Sequence, residues 1–314
     1  MTSLLISQPD LPVHETPPGH PERPERMLAI ASALSDPAFK SLRRETAESA
    51  DLWLEAGVHS DAYLARLQAV RPAAGLAQID ADTWISPGSL NAVAAGLGAG
   101  LRALEAVMCG QVDNAFCAIR PPGHHAERDA PMGFCLVNSV AIVARIAQKQ
   151  YGVERVGIVD FDVHHGNGTQ EIFQADSSVF YASSHQIPLY PGTGKADETG
   201  VGNILNVPLA EGSGGAEMRA AYEAQVLPAL AEFCPDLLLI SAGFDAHRRD
   251  PLAGLNWIGD DFAWLTGKLL DLADTSCKGR VVSLLEGGYD LEGLAEGVAQ
   301  HVHMMSHGVA MRTG

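Results

Sequence analysis

The feature that most limits what this chain can become is a set of short apolar runs that do not alternate with polar residues. They are AFCAI at 115–119, VGIV at 156–159, SVFYAS at 178–183, ILNVPL at 204–209, DLLLISAG at 236–243 and RVVSLLEGG at 280–288. A strand with one wet face alternates; runs apolar on both faces are expected of parallel strands covered on both sides. Helix-like stretches at 89–108, 138–150, 214–233, 259–274 and 291–304 lie between most of them. Glycine costs helix stability unless close packing needs the space, so the series AAGLGAGLRAL predicts that 89–108 packs tightly on the sheet. Strand alternating with helix predicts an α/β chain in three layers around a mainly parallel central sheet.

Nothing in the 314 residues marks an internal composition shift, so a single domain over 1–314 is expected, with an aliphatic core drawn from 46% hydrophobic residues. The formal charge of −17, from 38 acidic against 21 basic residues, argues against a nucleic acid partner and mildly favours cationic ligands. The start MTSLLISQPDLPVHE lacks the charged opening and apolar run of a signal peptide, and no uninterrupted stretch of about 18 apolar residues stands out. No membrane partner and a cytoplasmic location are therefore expected. Five cysteines, never spaced C-x-x-C, indicate neither a disulfide framework nor a thiolate zinc site, so any metal must be held by His and Asp.

Ligands of open α/β sheets bind outside the carboxyl ends of the strands. Polar clusters stand there in four places: RPPGHHA after 115–119, DFDVHHG after 156–159, GFDAH after 236–243 and EGGYD after 280–285. Asp160, Asp162 and His164 are spaced by two, which in an extended chain puts them on one face. Asp245 is the best placed remote carboxylate. Two carboxylates and an imidazole suit a zinc ion with a fourth position left open for catalysis. The plainer alternative, loop caps and hydrogen-bonded core histidines, has to hold at every one of these strand ends at once.

His124 and His125 follow a rigid Pro-Pro and a glycine. Adjacent side chains are expected to diverge, so the pair reads as a base and a partner cation rather than as two ligands of one ion; a loop pair without a role is the alternative. In EGGYD, Tyr289 could donate to an oxyanion, although Gly-Gly-Tyr alone also makes a plain turn.

HPERPERM, VHSDAYL, RPPGHHA, MGFCLVNSVAIVA, DFDVHHGNGTQEIF, PGTG, SAGFDAHRRDPLAG and LEGGYDLEGL, running from about His20 to Leu294, resemble in order and spacing the zinc-dependent histone deacetylase family. The likeness is to class II type bacterial histone deacetylase-like amidohydrolases. It implies the three-layer arginase/deacetylase fold and one zinc per chain on Asp162, His164 and Asp245. It implies His125 as general base and then acid, His124 as the electrostatic histidine oriented by Asp160, Asn167 as the partner of His125, and Tyr289 on the acetyl oxygen. Structural potassium or sodium ions are implied at an inner site of Asp160, Asp162, His164, Ser183 and Ser184, and at an outer site of backbone around Phe173, Asp176 and Val179. Gly133 and Phe134 would line an acyl-lysine tunnel, with Tyr190 where the first class has a second Phe and Gly287 letting its loop approach the substrate. Leu252 stands where polyamine-selective relatives carry Glu, and Ile85 where the first class has an Asp that grips the substrate backbone.

The expected activity is zinc-dependent removal of acetyl or acyl groups from lysine-type amines, releasing acetate. Its partner would be an acetylated lysine peptide or protein, with an acetylated polyamine, and hence an acetylpolyamine amidohydrolase, as the alternative. A homo-oligomer is compatible with the sequence. A two-manganese arginase-type site would need bridging carboxylates where Gly166 and His247 stand. An acyl-recognising binding module would have no use for Tyr289 and the paired histidines.

Overall fold

The computed structural model describes residues 2–8, 14–53 and 57–308, so that 1, 9–13, 54–56 and 309–314 of the expected domain lie outside the described residues. Along the chain the strands are β1 (Ser3–Ser7), β2 (Arg43–Thr46), β3 (Ala77–Gln78), β4 (Trp84–Ile85), β5 (Asn114–Ala118), β6 (Val156–Asp160), β7 (Val179–Gln186), β8 (Ile204–Leu209), β9 (Leu237–Ala242) and β10 (Val281–Leu285). The helices are α1 (Glu25–Ala33), α2 (Asp61–Val70), α3 (Ser89–Met108), α4 (Ser139–Tyr151), α5 (Asn167–Phe173), α6 (Gly215–Ala221), α7 (Leu227–Phe233), α8 (Gly259–Ser276) and α9 (Leu291–His307).

Eight strands form one sheet in the order β2-β1-β5-β10-β9-β6-β7-β8, and every pairing in it is parallel. β3 and β4 make a separate antiparallel hairpin. The central strands β5, β6, β9 and β10 are buried along their whole length, which is why their sequences do not alternate. On one face α3 packs on β1, β5, β10 and α4; on the other α9 packs against β5, α1 and α8. The result is the three-layer α/β fold.

Two readings need correction. α3, with 20 residues and a mean hydropathy of 1.2, is long and apolar enough to cross a membrane, although Asn91, Arg102 and Glu105 interrupt it in a count of apolar runs. It packs against the strands and α4. The helix expected at 214–233 is interrupted by a π turn at Tyr222–Val226 just ahead of Pro228, whose missing N–H cannot continue the ladder.

The four polar clusters belong to β5, β10, β9 and β6, which are consecutive in the sheet. Because all run parallel, their carboxyl ends meet at one rim.

Candidate active site

β6 ends at Asp160, and the chain then folds Asp162 and His164 towards Asp245 beyond the end of β9. His164 Nδ1 lies 3.1 Å from Asp162 Oδ1 and 3.2 Å from Asp245 Oδ2. Among the described residues these three form the one group of His, Cys, Asp or Glu whose ligand atoms all lie within 4.8 Å of one another, and all three are buried. Backbone amides hold the carboxylates from behind: Val163 N–H donates to Asp245 Oδ1 at 2.9 Å and Gly287 N–H to Asp162 Oδ2 at 2.8 Å. Burial, and then the charge of Asp162, push Asp245 up to about 7, so ionised carboxylates coexist here only with positive charge among them. Two carboxylates, one imidazole nitrogen and full burial are a donor set that fits zinc.

Asp160 does not share the face of Asp162 and His164 as its spacing suggested, because the extended backbone stops at Asp160 and strand alternation no longer applies beyond it. Its Oδ2 turns instead to His124 Nδ1 and to the Tyr181 hydroxyl, both at 2.9 Å.

The histidine pair also departs from expectation. His124 and His125 occupy the centre of a turn closed by Ala126 N–H to Gly123 O at 3.0 Å, and their rings stand 4.0 Å apart instead of diverging. Strand alternation, which sends neighbouring side chains to opposite faces, does not operate within a turn. Burial alone would depress His124, but the Asp160 and Asp162 carboxylates override it and hold its proton affinity well above the ordinary histidine value. His125 is driven the opposite way, well below that value, by burial and then by the charges of His124 and His164. Its Nδ1 lies 2.8 Å from Asn167 Oδ1, the partner the motif implied.

Glu286, at the end of β10, was not singled out in the sequence. It accepts backbone N–H bonds from Gly123 at 2.6 Å and His124 at 3.1 Å, and so fixes the turn that presents both rings. The available signal was a single carboxylate closing the apolar run VVSLL. Tyr289 is held by Asp250, which accepts its N–H at 2.7 Å, and by Arg26, whose guanidinium lies 5.0 Å from the ring centre and donates to Gly288 O at 2.7 Å. Burial keeps the Tyr289 phenol well above its usual value, so it remains a proton-bearing donor.

A cavity of about 210 Å³ descends to this centre, with Phe134 and Tyr190 among its walls, Leu252 also lining it, and His125, His164 and Tyr289 at its lining too. Phe134 adopts φ 68°, a conformation unfavourable for a bulky residue. It is held there because its N–H donates to Thr83 Oγ1 and that of Gly133 to Asp82 Oδ1, each at 3.1 Å. The loop between β3 and β4 thus aims the aromatic wall.

Neither Ile85 nor Gly287 is among the residues lining the cavity. Ile85 is wholly buried, and the side chain that reaches the cavity is Asp82, three residues earlier. A carboxylate therefore does stand in the cavity wall. Gly287 lies beneath the metal ligands, not along the substrate path: a Cβ there would sit 2.1 Å from Asp245 Oδ2 and 2.5 Å from Asp162 Oδ2. Gly166 leaves no room for the extra carboxylate of a two-metal site, since a Cβ would sit 2.3 Å from Asp160 Oδ2.

The two expected monovalent sites differ. At the inner one Ser183 lies beside Asp160 in the β6–β7 register, while the hydroxyls of Ser183 and Ser184 are engaged by His185 and Tyr222. At the outer one the Phe173, Asp176 and Val179 carbonyls do converge, but on the side-chain nitrogen of the buried Asn203, at 2.9, 2.9 and 2.7 Å. With an amide at their focus these residues do not fit a cation, and the outer site is corrected accordingly.

Fold and rim together define a hydrolase of the arginase/deacetylase architecture. Comparison with known proteins makes this specific: residues 20–305 match the histone deacetylase domain, and the chain belongs to the histone deacetylase family. It is a deacetylase or amidohydrolase. It is 40% identical to the chloroplastic histone deacetylase 10 of Oryza sativa subsp. japonica, over 89% of this chain and 68% of that one. It is 38% identical to the histone deacetylase-like amidohydrolase of Pseudomonas aeruginosa, over 86% and 73%. The crystal structure of the HDA15 HD domain superposes with a TM-score of 0.91 at 34% identity, covering 98% of this chain and 89% of that one.

Proposed function

We propose that the protein removes acetyl groups from the side-chain amine of acetylated lysine in peptides or proteins, with one zinc held by Asp162, His164 and Asp245. The observation that carries this reading is the pair of adjacent histidines beside the ligand cluster with unlike partners behind them, the Asp160 carboxylate at His124 Nδ1 and the Asn167 amide oxygen at His125 Nδ1. When bound, the ion supplies Lewis acidity towards the acyl oxygen and acidifies water. His125 then takes the proton of the attacking water at Nε2 and returns it to the nitrogen of the departing amine, which is too basic to leave as an anion. Tyr289 donates its hydroxyl to the acyl oxygen as negative charge develops there. His124, already protonated, stabilises that charge without competing for the proton.

Phe134 and Tyr190 flank the aliphatic part of the substrate and exclude water, and Asp82 accepts a backbone N–H where the substrate emerges. The same reading assigns a potassium or sodium ion to the inner site. Its support is the number of carboxylates buried around the centre, Asp160, Asp162, Asp245, Asp250 and Glu286, against few cationic side chains.

A second reading, hydrolysis of acetylated polyamines, draws on Asp82, since a carboxylate in the cavity wall also suits a distal ammonium. The test is a comparison of kcat/KM for acetyl-lysine peptides, acetylpolyamines and longer acyl-lysines. The proposal expects acetyl-lysine peptides to be preferred and Leu252→Glu to shift preference towards polyamines. A wild-type preference for the polyamine would overturn it.

A further inference from the structure

Asn167 carries an oxygen and a nitrogen of nearly equal size on its side-chain amide, and which of them faces His125 decides how that ring works. With the oxygen facing Nδ1, the proton must sit on Nδ1, and Nε2 is left as the lone pair that accepts a proton. With the nitrogen facing Nδ1, the neutral ring must carry its proton on Nε2 and cannot act as a base. Nothing in the His125–Asn167 contact itself, at 2.8 Å, selects between the two.

The selection is made on the far side of Asn167. Its Nδ2 lies 2.8 Å from Glu127 Oε1 and 3.2 Å from Met132 Sδ. A carboxylate and a thioether offer only acceptors, so the atom facing them must be the NH₂, and the oxygen is turned to His125. Glu127 is fixed in its own turn, its N–H donating to Ala130 O at 3.0 Å, and it is not among the residues lining the substrate cavity.

We infer that Glu127 is a positioning residue, which sets the direction of the Asn167 amide and through it the Nδ1-protonated tautomer of His125. The inference extends the deacetylation reading above and gives that reading a dependence on a side chain outside the site.

The test uses the zinc-loaded protein and three variants. In Glu127→Lys the facing group only donates, so the amide turns round. Turnover of an acetyl-lysine peptide should fall about a hundred-fold or more with little change in KM, while zinc content and melting temperature are kept. Asn167→Asp alone sets two carboxylates against each other and should also be impaired. The double variant Glu127→Lys/Asn167→Asp should return the proton to Nδ1, because an aspartate accepts from both neighbours, while the added carboxylate raises the proton affinity of His125. The ¹⁵N spectrum of His125 should show the Nδ1–H tautomer in the wild type, the Nε2–H tautomer in Glu127→Lys, and Nδ1–H again in the double variant. If Glu127→Lys does not fold, Glu127→Ala, which leaves Met132 as the remaining acceptor, should show a mixture of tautomers. Wild-type turnover and tautomer in Glu127→Lys, or failure of the double variant to restore the tautomer, would overturn the inference. A wild type without turnover on acetyl-lysine would instead defeat the deacetylation reading, and the ¹⁵N result would still decide this one.

Discussion

His124 and His125 are joined by one peptide bond, lie in one turn and are almost equally buried, at 2% and 4% exposure, yet they hold protons in opposite ways. The difference lies behind the rings. Asp160 presents a carboxylate to one Nδ1 and Asn167 a neutral amide to the other. Burial lowers both proton affinities, and only a full negative charge overrides it. One turn can therefore carry a fixed cation and a free base side by side, which is what amide hydrolysis asks of it.

The largest expected break in this asymmetry is removal of the base. His125→Ala should lower kcat about a thousand- to ten thousand-fold, with zinc content unchanged by metal analysis. Tyr289→Phe removes only the donor to the acyl oxygen and should cost about a hundred- to a thousand-fold, in kcat more than in KM. Asp160→Asn gives both histidines amide partners; steady-state kinetics should show a loss of about ten- to a hundred-fold as His124 loses its charge.

The pH profile sharpens the same contrast. His125 works unprotonated, and its affinity for protons is depressed, so kcat/KM should hold as pH falls through the ordinary histidine range and decline only below it. An acid limb at or above about 6.5, the ordinary histidine value, would assign the base elsewhere.

The smallest effect concerns the outer cradle. Asn203→Ala removes the nitrogen that three carbonyls share, and the melting temperature should then rise with added potassium, which it does not in the wild type through this cradle. Thallium-soaked crystals would locate the new ion.

The central sheet was legible because β5, β6, β7, β9 and β10 are buried along their whole length and read as apolar runs. β1 and β2 were not: SLLIS of β1 was weighed only as part of an N-terminal stretch set against a signal peptide, and β2, RRET, is a partly exposed edge strand without an apolar run. α5 was hidden because its residues were read as the tail of the DFDVHHGNG motif. Within the site, local spacing revealed Asp162 and His164, and a strand end revealed Asp245. Contacts that cross the chain left little local signal. Asp82 was not singled out, because the two-residue strands β3 and β4 that flank its loop leave too little pattern to read, and Asn203 reaches its cradle from 24 to 30 positions away. The roles of the two histidines could be inferred only with their partners, at separations of 36 and 42 residues.

The account stands most directly on a zinc titration of the chelated protein, followed by turnover of an acetyl-lysine peptide. It predicts no turnover without metal, recovery that saturates at one zinc per chain, and no recovery in Asp245→Asn at the same zinc concentration. Full turnover in the chelated protein, or saturation only at two equivalents, would contradict it.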